Sequence, residues 1–314
     1  MHILQKSAYQ NLLQSINIEK QYTTALHYQQ SRAYNYLAQY NKAKDILERL
    51  YKGNKNNIEF LVDIGTVYKN LGHYNKSVTY LEKALTISNE KHGPNSLQTA
   101  YIEVKLDSPY RRLGRYAKVE RLLEHSLSVY EEHEGIESAK AAWLKTKLGY
   151  IYYKLGKYNE AISSINRSLK IQEGLYGTDN IRYSWSAVRL ANIYSHLGHY
   201  KKAKSLLVDS AAAYKKQFGE NHIKTAWVMC YLGEMEGKAG NYKQAEKLLK
   251  LSLKTHRLYY DESHIRQAWV LVRLGKLYAN NKNYTAAKFF LKKASTIFKK
   301  HPETDIKIVT NTNA

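Results

Sequence analysis

The sequence predicts an all-α protein, an α-solenoid of stacked antiparallel helix pairs. Three periodicities carry that prediction. The four tryptophans, Trp143, Trp185, Trp227 and Trp269, lie 42 residues apart, and Tyr101 holds the same slot one step earlier. The string L-G-x-Y ends at Tyr74, Tyr116, Tyr158 and Tyr200, with weaker copies "AGNY" at Tyr242 and "NKNY" at Tyr284, again in steps of 42. Of 16 glycines, 13 fall in three phases of this unit. Self-similarity at a period of tens of residues marks a repeat architecture.

The glycines mark the joints of each unit. Gly72, Gly114, Gly156, Gly198 and Gly240 occupy one turn, and Gly93, Gly135, Gly177 and Gly219 the other. Gly65, Gly149, Gly233 and Gly275 lie within a helix, where a missing side chain lets another backbone approach. Between the turns the apolar residues have helical spacing. Leu190, Ala191 and Tyr194 share one face of a first helix, and Tyr200, Ala203, Leu207 and Ser210 the inner face of a second. Each pair is too short to bury its own face, so stacking on neighbours must supply the core.

The order along the chain is then an N-terminal helix or cap at 1–20, a divergent pair at 22–56, six pairs at 58–300, and a polar tail at 301–314. The divergent pair steps by 34, from Tyr40 to Tyr74. Pro109 lies inside a first helix, where it removes a donor and clashes one turn back, so a kink or an irregular start is expected there. After Pro302 no capping helix is evident. The Phe289, Phe290, Leu291 and Ile297 face is therefore expected to be partly exposed, leading to self-association or pointing to a longer parent chain.

The pattern L-G-x-x-Y, then L-G-x-Y, then Ala and a bulky apolar residue resembles the tetratricopeptide repeat (TPR). A 42-residue unit with a G-x-x-H loop is similar to the kinesin-light-chain subtype, most clearly in "GENHIKTAW" and "DESHIRQAW". Ile223 and Ile265 stand where that subtype usually has proline. The resemblance implies a right-handed TPR superhelix with a concave groove lined by the first helices. It implies a fold more than a function.

Composition narrows the class. The chain carries 49 basic and 27 acidic residues, a formal charge of +22, which in the abstract favours acidic peptides, nucleic acid or anionic lipid. A single cysteine, Cys230, excludes an intrachain disulfide and fits a reducing compartment. No apolar run has the length of a membrane span, and no secretory signal or lipidation box is evident, so a cytoplasmic protein is expected.

With Leu148, Leu190, Leu232 and Leu274 set as position 7 of the first helix, the tryptophans fall at position 2. At about 100° per residue, positions 4, 7, 8 and 11 form the packing face, and positions 2, 6, 9 and 13 cluster opposite. Position 6 reads Lys105, Lys147, Arg189, Tyr231 and Arg273; position 9 reads Ser108, Tyr150, Asn192, Glu234 and Lys276; position 13 reads Arg112, Lys154, His196, Lys238 and Asn280. A cation four residues from a Trp is its helix neighbour and can stack on it. The resemblance implies that this side lines the groove. The other reading of the Trp ladder is packing between adjacent first helices, and the two can coexist. Glu59 and Asp63 break the pattern in the first pair, which centres the site on the later repeats.

The candidate peptide-binding set is Trp143, Lys147, Tyr150, Lys154, Trp185, Arg189, Asn192, His196, Trp227, Tyr231, Lys238, Trp269, Arg273 and Lys276. A basic aromatic groove suits an extended protein segment with acidic and apolar side chains. TPR domains of kinesin light chains and co-chaperones bind peptides this way. Their paired groove asparagines are not reproduced, since Lys147, Arg189 and Arg273 replace one of them. The alternative is nonspecific nucleic-acid binding, with rings on bases and cations on phosphates. Catalysis finds no support: H-E-x-x-H, paired Cys, P-loop and G-x-S-x-G are all absent. His222 and His264 repeat at 42 and read as loop residues near helix starts, not a metal pair. Tyr231, Glu234 and Glu236 form no recognisable acid–base pair, and a lone Cys230 is usually packed. No cofactor is expected.

Overall fold

The computed structural model describes residue 11 and residues 24–301. The N-terminal cap and the polar tail expected from the sequence lie outside the described residues, but for Asn11 and His301. The described secondary structure is wholly helical. Its helices are α1 (Thr24–Tyr36), α2 (Tyr40–Gly53), α3 (Ile58–Leu71), α4 (Tyr74–His92), α5 (Leu97–Arg112), α6 (Tyr116–Glu134) and α7 (Ala139–Lys154). There follow α8 (Tyr158–Tyr176), α9 (Ile181–His196), α10 (Tyr200–Phe218), α11 (Ile223–Lys238), α12 (Tyr242–Tyr259), α13 (Ile265–Asn280) and α14 (Tyr284–Lys299). The chain divides into two compact units, residues 1–129 and 130–314, with the division inside α6.

Both turns of the repeat have a local cause. In the L-G-x-Y turn the first helix ends on a residue of positive φ, Gly156 at 79° for example, and the Lys157 N–H donates back to the Tyr152 carbonyl at 2.9 Å. That is the Schellman arrangement, which satisfies carbonyls the helix end would leave open. The turns before Tyr40 and Tyr284 have no glycine and keep the same geometry with Ala38 (φ 60°) and Lys282 (φ 57°). The second turn supplies an N-cap three residues after its glycine, or after Asp261 in the last copy. Ser96, Ser138, Asn180, His222 and His264, again 42 apart, each accept a backbone N–H of the helix that follows.

In unit 1, α1 pairs with α2 and α3 with α4 over a core of Ala43, Leu47, Ile64, Val67 and Tyr68. α5 starts regularly on its Ser96 cap and runs through Pro109 to Arg112. The expected irregular start is thus corrected: the proline sits in the last turn, where the helix was about to end.

In unit 2, α7–α8, α9–α10, α11–α12 and α13–α14 are the repeated pairs. Leu190, Ala191, Ala203 and Leu207 are buried as the spacing predicted. The first helices also bury positions 3 and 10, such as Leu144 and Ile151, or Val228 and Met235. Each is therefore enclosed on more than the one face read from the sequence. At the C-terminal pair, Ile297 is buried and Phe290 stacks on Tyr278 at 5.3 Å, leaving Phe289 and Leu291 exposed. The face is thus partly exposed, as expected.

The helical glycines explain how closely a pair closes. A Cβ at Gly149 would lie 2.5 Å from Ile165 Cγ1 and 3.0 Å from the Ala161 carbonyl oxygen, whereas at Gly174 it would meet nothing within 4 Å. Gly149→Ala should therefore cost about 1–3 kcal/mol by overpacking, while Gly174→Ala should gain about 0.5–1 kcal/mol through helix propensity. Urea denaturation of the two variants checks both signs.

Candidate peptide-binding face

Unit 2 brings positions 2, 6, 9 and 13 of four first helices onto one continuous face. Its centre is Arg189 of α9. The guanidinium carbon lies 4.7 Å from the Tyr150 ring of α7, 5.7 Å from its own Trp185, and 5.4 Å from Trp227 of α11. It also donates to the Tyr231 hydroxyl at 3.3 Å. Toward the N-terminal side, the Lys147 ammonium sits 4.6 Å from the Trp143 ring, and Lys154 lies 5.7 Å from Tyr150. The predicted helix-neighbour stacking forms, and it extends across helices as well. Trp227 meets Tyr231 edge-on at 5.3 Å and Tyr214 of α10 at 6.0 Å.

All four tryptophans are half-buried, so each packs by part of its ring and shows the rest. Trp269 packs against the core of the last pair. Lys147, Tyr150, Lys154, Arg189, Asn192, Tyr231, Lys238, Arg273 and Lys276 are half-buried too; only His196 of the candidate set is exposed. A charge stripe is usually a solvated face, and this one is not.

The C-terminal side is held by a carboxylate that sequence reasoning did not place in the site. Glu234 at position 9 accepts from Arg273 Nε at 2.5 Å and faces Lys238 Nζ at 3.2 Å. Burial pushes its carboxyl up, but Arg273 and Lys238 outweigh that and hold it at about 2. Burial likewise opposes the Arg273 charge, and Glu234 overcomes it and raises its pKa. Lys276, desolvated beside Arg273, Lys238 and Lys154, is shifted downward despite the pull of Glu234. His196 is lowered by burial and by Lys238 and Lys154. Arg273, Lys238 and Lys276 thus act on one carboxylate, with Lys154 beside Lys276, and the field there stays positive. Arg273 is committed inside the protein; Lys154, Lys238 and Lys276 carry the excess charge.

Cys230 packs in the core of the last pair, and burial pushes its thiol up. Glu236 is buried with Lys204 at 2.9 Å and Asn241 at 2.6 Å, a structural arrangement. His222 and His264 are helix caps: their Nδ1 atoms accept from the Lys224 and Arg266 N–H groups at 3.1 and 3.2 Å. Among the described residues no cluster of His, Cys, Asp and Glu could hold a metal ion, and no helix is long and apolar enough to cross a membrane.

The tetratricopeptide repeat profile matches residues 58–132, 140–216 and 224–300. The chain belongs to the tetratricopeptide repeat family. No curated protein matches it in sequence. Solved structures match it in fold. A Rap protein complexed with Competence and Sporulation Factor is 12% identical with a TM-score of 0.65, over 96% of this chain and 99% of that one. The apo form of RapI is 13% identical with a TM-score of 0.69, over 89% and 99%. The apo quorum sensor NprR from B. thuringiensis is 17% identical with a TM-score of 0.67, over 93% and 82%. At these identities the likeness is one of fold.

The His264 cap titrates in a usable range. Burial and the nearby Arg266 lower it from 6.5 to about 4, and protonation of Nδ1 would also destroy the cap bond. A histidine harder to protonate when folded gives its full stability above its free value and loses it as pH falls. The urea midpoint should therefore drop between pH 6.5 and about 4. His264→Asn should reduce that drop, because Asn180 shows that an amide caps the same slot without titrating. Some drop should persist from His196 and His256, which burial also lowers.

Proposed function

We propose that this TPR protein is a non-catalytic scaffold that binds an extended protein segment with acidic and aromatic side chains along the first-helix face of unit 2. One observation carries the reading: aromatic rings held by Arg189 run directly into a cluster with more cations than carboxylates. Half-buried rings give contact area at low entropic cost, and partly desolvated cations bind carboxylates more strongly than solvated ones. Rap and NprR supply a fold-level analogy, since one of the Rap structures is complexed with Competence and Sporulation Factor. The kinesin-light-chain likeness of the 42-residue unit rests on its loop residues and is kept as a likeness of repeat subtype. Nucleic-acid binding ranks below the peptide reading, because the sequence carries no RNA-binding motif and position 9, which would have to read bases, varies as Ser108, Tyr150, Asn192, Glu234 and Lys276. A cytoplasmic location goes with the proposal.

Removing Trp185 and Arg189 together tests it. Trp185→Ala with Arg189→Ala should weaken binding of acidic, aromatic-bearing peptides by about tenfold or more, read by fluorescence of the remaining tryptophans. The circular dichroism melt should still show a folded array. Unchanged affinity in the folded variant defeats the groove reading. Equal binding of single-stranded oligonucleotides of any sequence, lost steeply with salt, would support the nucleic-acid reading instead.

A further inference from the structure

A cavity of about 620 Å³ opens within unit 2 beside the first turns of α7 and α9, and Lys224 of α11 also reaches it. It lies away from the Glu234 cluster, which sits at the other end of the same helices. Three features of its lining bear on what it could hold.

The first is a set of cations in an unfavourable place. Lys140, Arg182 and Lys224 are each the second residue of their helix, 42 apart, and Arg266 continues the series. None of these helices has an acidic residue in its first turn. The positive end of the helix dipole favours carboxylates there, so each cation adds to a potential that is positive already. Rings hold these side chains in position: Lys140 lies 5.1 Å from Trp143, Arg182 lies 4.8 Å from Tyr176, and Lys224 lies 4.3 Å from Phe218. The second feature is the wall, which Trp143 and Trp185 share; Glu134 is the one carboxylate of the lining, against the three cations Lys140, Arg182 and Lys224. The third is Gln172 of α8. It is 3% exposed, lines the cavity, and its Oε1 has no hydrogen-bond partner. A buried amide oxygen left open is costly, and it asks for a donor.

The geometry points to a terminal subsite: the cavity takes the C-terminal residue of a bound peptide when that residue is aromatic. This deepens the peptide reading above and rests on it. The carboxylate meets Lys140, Arg182 and Lys224, the ring lies against Trp143 and Trp185, and a peptide N–H reaches Gln172. An inorganic anion carries neither the ring nor the amide donor. An internal segment carries no terminal carboxylate. The volume falls in the roughly 300–1,000 Å³ range of cavities that take small ligands, enough for the end of a chain.

Calorimetry on the full chain tests the subsite with acetyl-Ala-Ala-Tyr bearing a free C-terminus, with its C-terminal amide, and with inorganic phosphate as competitor. The free acid should bind and the amide should bind at least about tenfold more weakly. Lys224→Ala, at an exposed position, should weaken the acid and leave the amide unchanged. Gln172→Leu should weaken the acid about tenfold while the melting temperature holds or rises, since the change removes an unpaired buried oxygen. The proposal fails if acid and amide bind alike, if the free acid gives no heat, or if Gln172→Leu binds as wild type. It also fails if phosphate alone saturates the site and displaces the tripeptide, which marks a general anion site. Lys238→Ala separates the two readings. It lies about 21 Å along α11 from Lys224, so it should leave tripeptide binding intact. A loss confined to longer acidic peptides supports the groove, and no loss there defeats the groove while the terminal subsite stands.

Discussion

Each repeated pair depends on the close approach of its two helices at one position of the first. Gly65, Gly149, Gly233 and Gly275 hold that position, and an added Cβ would fall between 2.5 and 2.9 Å from a leucine or isoleucine of the second helix. Closing the pair this tightly seats Ile165 or Leu249 deep in the core and leaves the opposite side of the first helix to meet its neighbours. Ala191 occupies the slot in α9 at the cost of one methyl. α5 departs furthest, with a buried Asp107 that pairs with Arg111 at 3.3 Å, two residues before Pro109.

That geometry decides what the proposed binding face looks like. Because the first helices sit close together, cations at position 6 cannot extend freely into water. Arg189 lies among rings from two neighbouring helices as well as its own, and Arg273 of α13 pairs with a carboxylate on α11, the preceding first helix. The guanidinium suits this role, being planar and weakly hydrated enough to stack while it donates. Its field remains while much of its hydration is gone, which makes the face rigid and positive together. The two ends of the same helices then differ. One gathers lysines around Glu234, and the other gathers cations and rings around an open amide oxygen.

The fold was legible because its causes are local and repeated. Glycine at positive φ, a cap three residues after the loop glycine, and apolar residues at helical spacing each act within a few residues. Repetition at 42 then makes each visible several times. The placement of the tryptophans opposite the core leucines followed from helix geometry alone. The cations at the second residue of α7, α9, α11 and α13 carry the same period, and a scan of charges by phase would have found them beside the tryptophans. The glycine-free turns at Ala38 and Lys282 were legible only through their neighbours, since neither residue favours positive φ.

The sequence by itself determined the helices, their pairing and the faces on which rings and charges stand, because those follow from backbone preferences and from the 3.6-residue turn. Only the tertiary structure decided what those charges meet. Glu234 and Arg273 are 39 residues apart, and one turn of rotation would have separated them; their 2.5 Å bond comes from how two first helices pack. Nothing near Gln172 in the chain marks its amide oxygen as open, because a side chain's partners are set by distant residues. Periodicity fixes direction, and packing fixes distance. The chemistry of this face depends on both.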